Sequence, residues 1–383
     1  MGLLLMTLCL VMTVGCQQTD GEVGEPVEPE IGGDIPLTPT GCVTAPNASD
    51  AGTRGAVYVD EDESDLSEWA RGVDPEDTPL SGVFVSILGS GEEQVTQTCD
   101  DGTYAFTDLE EGVYMVAPHL GTDRLCTTRN CNSGLSTRIR SGNLKMVTIG
   151  DSVPVIGDAP LFPERLKTLM SDLVNVESKN VAVAGSTAID WRPDGVYYGS
   201  RLSPELWDAD LLVISLGGND LLYGLNDPAL LDDLDAAVDA AFVLVVQIVE
   251  RVLEIVDAVH AVRPDLDVLY CLYPNYGQAT STSPWDLVNL MVGADTLVEL
   301  LTLTRESIPH RQHLMVADLF GAFEGLPLDD MLLDELHFND LGQTRYAEAI
   351  FESLGGVLIG PSPLRDRHGQ HPLGQDHGFG LVP

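Results

Sequence analysis

From Leu144 to about Ile359 the chain alternates short apolar runs with longer stretches of helical periodicity, and few folds accommodate this pattern. The alternation predicts an α/β fold with a parallel sheet and helices on both of its faces. The predicted strands are Lys145 to Ile149, Asn180 to Ala184, Leu211 to Leu216, Asp267 to Leu272 and His313 to Asp318. The predicted helices are Leu161 to Leu173, Pro228 to His260, Pro284 to Glu306 and Leu341 to Leu354. Residues 144–359 are therefore predicted to form one domain.

The chain begins with an apolar, uncharged run, residues 1–15, which is shorter than the roughly 20 residues that a membrane-spanning helix needs. Such a run is typical of the apolar core of a signal peptide. It ends in Thr13-Val14-Gly15-Cys16, which resembles the lipobox of bacterial lipoproteins. The resemblance implies that Cys16 is acylated and holds the exported protein in the cell envelope, at the outer membrane or the cell surface. The alternatives are an ordinary cleaved signal peptide and a buried apolar N-terminus.

Two segments lack the composition of folded structure. Residues 16–50 are rich in acidic residues, Pro and Gly and contain no Lys or Arg, which predicts a flexible tether. Residues 360–383 are rich in Pro, Gly and His without periodicity, which predicts a disordered tail. A metal cluster of His368, His371 and His377 is the alternative interpretation of the tail.

The chain is strongly acidic, with a formal net charge of −41 from 60 acidic and 19 basic residues. A charge of this sign repels phosphate backbones and anionic bilayers. Nucleic acid is therefore not expected as a partner, and the expected contact with a membrane is through the lipid anchor.

Residues 51–118 contain short alternating stretches separated by turn residues, which predict a small all-β module, followed by a linker at 119–143. The segments 79–85, 101–106 and 109–114 resemble the SdrD B-like and Cna B-type β-sandwich repeats of bacterial surface proteins. The resemblance implies a stalk or spacer. Members with an acidic loop bind calcium, and the corresponding region here contains Asp60, Asp62, Asp65 and Asp74. A solvated acidic loop is the alternative, because Ca²⁺ needs carboxylates at particular positions around a sharp turn.

Five cysteines follow the predicted anchor, and exported chains commonly use such residues in disulfides. Cys126 and Cys131 are close enough in sequence to close a small loop. Cys42 would then be left to pair with Cys99, although the spacing does not fix the connectivity. Cys271 lies in the apolar run of a predicted strand and is expected to be a free thiol in the core. The sequence has no Cys-x-x-Cys pair, so a structural zinc is not expected.

Small and polar residues follow the first three predicted strands: Ser152, Gly185 and Asn219. Ligands of open α/β sheets bind at this carboxyl edge. A serine at such a turn exposes its hydroxyl for attack on a carbonyl, and backbone amides nearby can bind the resulting oxyanion. Gly185 permits close approach of its amide, and Asn219 offers a side-chain donor. Ordinary strand-ending turns are the alternative interpretation of all three.

Asp334 and His337 lie directly before the last predicted helix. A histidine can accept the proton of a serine near neutral pH. A carboxylate three residues earlier can accept the ring N–H of the histidine and fix its tautomer. A surface loop or a helix cap is the alternative.

These four segments resemble the four blocks of the SGNH or GDSL family of esterases and lipases, in the same chain order. The resemblance implies a three-layer, flavodoxin-like fold and a triad of Ser152, His337 and Asp334. It also implies an oxyanion hole made of the Ser152 and Gly185 amides and the Asn219 side chain. Ester hydrolysis through an acyl-enzyme then needs no metal or cofactor.

The predicted function is therefore that of a cell-surface serine ester hydrolase. Its substrate would be a small-molecule or glycan ester, for example a carbohydrate O-acetyl group or a lipid acyl ester. The acyl group itself is not encoded in these motifs, because substrate choice depends on loop shape. An acyltransferase of the same fold, or a surface adhesion or scaffold protein with an inactive hydrolase domain, are the alternatives. Trp191 and Trp207 would either line the cleft or lie in the core or at the surface.

Overall fold

A computed structural model of the protein describes most of the chain beyond residue 51. The described residues are 52–59, 78–89, 93–119, 133–226, 230, 233–276, 294–309, 311–334, 336–360 and 362–364. Outside these residues lie the predicted signal peptide and tether, the predicted tail except for residues 360 and 362–364, the anchor Cys16 and the calcium candidates Asp60, Asp62, Asp65 and Asp74. Within them, no helix combines the length and the apolarity that crossing a membrane requires.

The N-terminal part of the described chain is made of short antiparallel strands. These are β1 (Gly52–Ala56), β2 (Tyr58–Val59), β3 (Thr78–Pro79), β4 (Phe84–Leu88), β5 (Glu93–Gln97), β6 (Thr103–Thr107) and β7 (Gly112–Pro118). β1 pairs with β6 and β2 with β3, while β4 lies between β5 and β7. All elements described between residues 52 and 118 are strands, whereas the predicted β-sandwich module and its similarity to SdrD B-like repeats stay predictions.

The remaining elements alternate helices with strands. They are α1 (Ser133–Ser141), β8 (Asn143–Gly150), α2 (Phe162–Met170), β9 (Asn175–Asn180), α3 (Ala188–Trp191), β10 (Leu211–Ser215), α4 (Gly218–Leu225), α5 (Leu234–Val262), β11 (Asp267–Cys271), α6 (Ala294–Glu306), β12 (Leu314–Ala317), α7 (Leu319–Phe323), α8 (Asp340–Ser353) and β13 (Gly356–Ile359). α1 lies in the segment that the sequence had predicted to be a linker.

β8 to β12 form one parallel sheet in the order β12-β11-β10-β8-β9. This is the flavodoxin-like order, in which the direction of chain progression reverses between the first and third strands of the sheet. The predicted α/β fold with a parallel sheet is thus confirmed. The reversal point lies between β8 and β10, so the segments that follow these two strands face a common crevice.

Apolar side chains alternate between the two faces of this sheet, as a strand covered on both sides requires. In β10, for example, Leu211 and Val213 pack with α2 and α8, whereas Leu212 and Ile214 pack with α3 and the second half of α5. The result is three layers, with the sheet in the middle.

The second predicted strand is displaced from its observed position. The sequence predicted Asn180 to Ala184, but β9 is Asn175–Asn180. β9 is an edge strand, and its exposed polar residues weaken the apolar signal. The amides of Val181 and Val183 still donate to the carbonyls of Thr148 and Gly150, at 2.9 and 3.0 Å. Residues 181–183 therefore still run alongside β8, although β9 itself ends at Asn180.

The last strand joins a different sheet from the one that its position in the sequence suggests. β13 pairs antiparallel with β7, which gives the order β13-β7-β4-β5. Gly355, at φ +88°, turns the chain after α8 and makes this pairing possible. Leu88 and Met115 of the N-terminal strands also share a buried apolar cluster with Leu135 of α1. The two parts of the described chain therefore form one packed body.

The described residues include two cysteines, one in a disulfide and one with a free thiol. Cys99 forms a disulfide, with a partner outside the described residues. Cys271 is buried and free, as predicted. Burial raises the pKa of its thiol, so it stays protonated in the core.

Candidate active site

Ser152 lies in a tight turn at the carboxyl end of β8. The amides of Val155 and Ile156 both donate to the Ser152 carbonyl, at 3.0 and 2.7 Å. A Cβ at Gly150 would lie 2.7 Å from Pro154 and from the Ser215 carbonyl, so only glycine fits where the turn begins. The turn leaves the Ser152 side chain partly exposed. A serine in this position is both fixed by the backbone and accessible.

Asn219 connects the segments that follow the second and third strands. It lies in the first turn of α4, which begins after Gly217 at φ +124°. Its side-chain amide donates to the Ser186 carbonyl at 3.0 Å. An amide nitrogen has two N–H groups, so the second one remains available to an oxyanion. Gly185, the neighbour of Ser186, has φ +79°, a conformation that favours glycine.

A buried ion pair that was not predicted from the sequence supports the same two segments. Asp220 accepts a hydrogen bond from the Ala188 amide at 2.8 Å and one from Arg251 of α5 at 3.0 Å. Burial raises the pKa of Asp220, although both of these donors lower it. The hydroxyl of Tyr223 also donates to the Gly185 carbonyl at 3.3 Å. The position of Asp220 beside Asn219 could have indicated a role in the site. Arg251 lies in the middle of α5, where no sequence motif distinguishes it.

Asp334 and His337 form the predicted pair. Nδ1 of His337 lies 2.8 and 3.0 Å from the two carboxylate oxygens of Asp334. The amides of Leu336 and His337 donate to the same carboxylate at 2.8 and 2.7 Å. Burial opposes ionisation of Asp334, but these hydrogen bonds prevail and lower its pKa. The carboxylate therefore holds a proton on Nδ1 and leaves Nε2 as an acceptor.

One cleft brings these segments together. Its walls include Ser152, Asn219 and Leu336, the neighbour of His337. Nε2 of His337 is buried and has no hydrogen-bond partner among the described residues. The structure thus places the serine, the asparagine and the Asp–His pair at one edge of the sheet, without a hydrogen bond between Ser152 and His337.

Tyr273 is a cleft residue that the sequence analysis missed. Its hydroxyl donates to Asp151, whose carboxylate also accepts the Val153 amide at 3.1 Å. Burial raises the pKa of Asp151 to about 6, while hydrogen bonds from Tyr273 and Val153 lower it. Its position in the sequence could have indicated a place in the site, because Tyr273 follows β11 and so lies at the same edge of the sheet as the other site residues.

The two tryptophans near the second segment lie outside the cleft. Trp191 is fully buried, and its indole N–H donates to the Ser186 hydroxyl at 2.9 Å. Trp207 is 75% exposed. Trp191 therefore belongs to the core beneath the second segment, and Trp207 belongs to the surface.

Comparisons with known structures reveal distant similarity. A lipase, Lip_vut3, from a goat rumen metagenome is 17% identical, covers 58% of this chain and 100% of its own, and has a TM-score of 0.44. Phospholipase A1 from Streptomyces albidoflavus is 17% identical, covers 55% and 98%, and has a TM-score of 0.41. The acetylxylan esterase Axe2 from Geobacillus stearothermophilus, in mutant form, is 15% identical, covers 55% and 94%, and has a TM-score of 0.34. No curated protein matches the chain.

A protein-family match gives the stronger result. Residues 148–345 match the family described as GDSL-like Lipase/Acylhydrolase. The matched segment is just over half of the chain and contains all four segments described above. The protein therefore belongs to the GDSL-like lipase/acylhydrolase family and is an ester-hydrolysing serine hydrolase.

Proposed function

We propose that the protein is a cell-surface esterase in which Ser152 forms an acyl-enzyme. The observation that carries the proposal is the contact of His337 Nδ1 with Asp334 at 2.8 Å, together with its Nε2, which is buried and has no partner among the described residues. A base prepared in this way can take the proton of a serine at the same edge of the sheet.

The proposed reaction has two halves. The Ser152 oxygen attacks the ester carbonyl and its proton moves to Nε2 of His337, which gives a tetrahedral oxyanion. Collapse of this intermediate breaks the bond to the alcohol, which leaves with the proton from His337. Water then gives a proton to His337 and attacks the acyl-enzyme, and a second collapse releases the acid and restores Ser152. No step requires a metal or a cofactor.

The oxyanion would be bound by the backbone amides of Ser152 and Gly185 and by the side chain of Asn219. Among the described residues, neither backbone amide has a hydrogen-bond acceptor. Asn219 retains one N–H beyond its bond to Ser186. Ser152 and Asn219 line one cleft, and Gly185 directly precedes Ser186, whose carbonyl accepts the Asn219 amide. Donors in this arrangement suit a charge that develops on the carbonyl oxygen.

An activity-based probe tests the nucleophile. A fluorophosphonate should label the wild-type protein, and peptide mass analysis should place the label on Ser152. Ser152→Ala should abolish labelling. Ser186→Ala is the matched control, because Ser186 lies at the same edge but its hydroxyl already donates to the Gly150 carbonyl at 3.0 Å. Labelling that survives in Ser152→Ala, or that is lost only in Ser186→Ala, would refute the assignment.

The location at the cell surface is the second part of the proposal, and it rests on the lipobox-like sequence ending in Cys16. An acyl group on Cys16 would hold the enzyme at the envelope, where esters of glycans and lipids are the available substrates. Cys16→Ser should release the protein from the membrane fraction. Intact mass of the mature wild-type protein should show the acyl group, and its absence would contradict the anchor.

A further inference from the structure

An apolar cavity, partly open to solvent, lies beside the catalytic cleft. Its walls come from α4, α5 and α6 and from the segment after β11, and they include Leu221, Val245, Ile248, Leu297 and Leu300. None of the proposed catalytic residues lines this space. The cavity is larger than the cleft that contains Ser152.

The polar atoms around the cavity are engaged elsewhere. The hydroxyl of Tyr270 donates to the Leu216 carbonyl at 3.1 Å, and that of Thr304 donates to the Leu300 carbonyl at 2.8 Å. The surface that remains is hydrocarbon. Such a surface suits an alkyl chain, because a sugar would leave its own hydroxyls unpaired there.

Three residues line both the cavity and the catalytic cleft: Gly218, Tyr273 and Tyr276. Tyr273 is fixed in this shared wall by two contacts. Its hydroxyl donates to Asp151, the neighbour of the nucleophile. Its ring lies against Gly218, since a Cβ there would come within 3.0 Å of Cε1 of Tyr273. The ring therefore stands between Ser152 and the apolar space.

We propose that Tyr273 sets the length limit of the acyl group. While its ring is in place, the acyl chain must fit within the cleft, and the enzyme acts on acetyl and similarly short esters. Removal of the ring joins the two spaces and admits a longer alkyl chain. The proposal rests on the proposed function, because the acyl group must be attached to Ser152 for the wall to limit it.

The test is a chain-length profile of p-nitrophenyl acetate, butyrate, hexanoate, octanoate and decanoate. For the wild type, kcat/KM should fall steeply beyond butyrate. Each methylene that a pocket accommodates can change kcat/KM by about tenfold or more, so the octanoate-to-acetate ratio should rise at least about 100-fold in Tyr273→Ala.

Two further variants separate the wall from other effects of the substitution. Tyr273→Phe keeps the ring and loses only the bond to Asp151, so its chain-length profile should stay close to that of the wild type. Leu300→Phe fills the cavity from its far side. Combined with Tyr273→Ala, it should return the octanoate-to-acetate ratio toward the wild-type value.

Several results would overturn the proposal. A folded Tyr273→Ala protein with the wild-type profile would show that the cavity is not reached from Ser152. A wild-type enzyme that prefers octanoate, and loses this preference in Leu300→Phe, would show that the cavity is already open. If circular dichroism shows that Tyr273→Ala is unfolded, Tyr273→Leu and the Leu300→Phe single variant decide between these outcomes.

Failure of the proposed function would look different. In that case no ester would be hydrolysed, and alkyl fluorophosphonates of any length would leave Ser152 unlabelled. If the probes do label Ser152, their labelling rates should follow the same order of chain length as the esters and should shift in the same way in Tyr273→Ala.

Discussion

The two main sheets of the protein collect their strands from the chain in different ways. The parallel sheet takes β8 to β12 from one continuous segment, residues 143–317. The antiparallel sheet takes β4, β5 and β7 from the N-terminal part and β13 from near the end of the described chain. The proposed catalytic residues follow strands of the first sheet or lie directly before α8. The proposed catalytic residues thus lie where the segments after successive parallel strands meet at one edge of the sheet. The second sheet instead joins parts of the chain that are far apart in sequence.

α8 connects the two sheets. It begins at Asp340, just after the His337 segment, and ends at Ser353, just before β13. Its start is capped by Asn339, whose side chain accepts the Gly342 amide at 3.1 Å. Because β13 pairs with β7, one end of α8 is fixed by the antiparallel sheet while the other end holds His337 at the edge of the parallel sheet. The second sheet should therefore affect stability more than chemistry.

The largest expected effect is at the edge of the parallel sheet. Ser152→Ala should lower kcat by about 10⁴-fold or more, because the covalent route is lost. His337→Ala should cost about as much, and the double variant should lose no more than either alone. The unfolding free energy should change little, since these side chains contribute little to the core. Steady-state kinetics on one aryl ester, with Ser200→Ala as an exposed-serine control, would measure this. Full activity in a folded Ser152→Ala protein would refute the proposed mechanism.

Asn219→Ala should have the next largest effect. It removes one donor to the oxyanion and leaves nucleophile and base in place, so kcat should fall by about 10²- to 10³-fold with little change in KM. Asn226→Ala is the matched control, because Asn226 is an exposed asparagine at the other end of α4. A loss confined to KM would indicate that Asn219 binds the substrate equally in the ground state and the transition state.

Asp151 is a buried carboxyl at the edge of the parallel sheet, whereas the described strands of the antiparallel sheet contain none. Burial raises its pKa to about 6, whereas the carboxyl titrates near 3.9 in an unfolded chain. The folded state therefore binds the proton more tightly. The cost of burying the charge is absent below about pH 4 and fully present above about pH 6, so stability falls as the pH rises through this interval.

Asp151→Asn removes this dependence on pH. Relative to the wild type, the variant should gain about 3 kcal/mol in unfolding free energy between about pH 4 and about pH 7. Urea unfolding of both proteins at a series of pH values would measure the difference. A difference that stays constant across this range would mean that Asp151 is not buried as a charge.

The smallest expected effect is in the antiparallel sheet. Val357 of β13 is 3% exposed, and Val357→Ala should lower the unfolding free energy by about 2 kcal/mol without changing kcat. Val262→Ala, at a position that is 62% exposed, is the control and should have almost no effect. Thermal unfolding followed both by circular dichroism and by activity would show one transition. Two transitions, with activity surviving the first, would mean that the two sheets unfold independently.

The predictions from sequence were most accurate where a local pattern is sufficient. A buried strand of a parallel sheet needs a short apolar run, and β10, β11 and β12 were predicted to within two residues at either end. The edge strand β9 was displaced because it is largely polar. α1 was missed because its segment has little apolar periodicity and continues a predicted linker.

The candidate site divides in the same way. Ser152, Asn219, Asp334 and His337 were predictable because their positions follow from strand and helix ends, and the Asp334–His337 contact spans only three residues. Tyr273, Asp220 and Arg251 act through partners that are 122 and 31 residues away. No local pattern marks such pairs, because only the closed sheet brings them together.

Local sequence patterns were sufficient to predict the alternation of strands and helices, and with it the edge of the sheet where the proposed catalytic residues lie. Local periodicity and strand-ending turns are enough for this, since each depends on a few neighbouring residues. The pairing of β13 with β7, the contact of Arg251 with Asp220 and the position of Tyr273 in the walls of both the cleft and an apolar cavity could not be predicted in this way. These features depend on which distant surfaces meet when apolar area is buried, and packing over the whole molecule selects them.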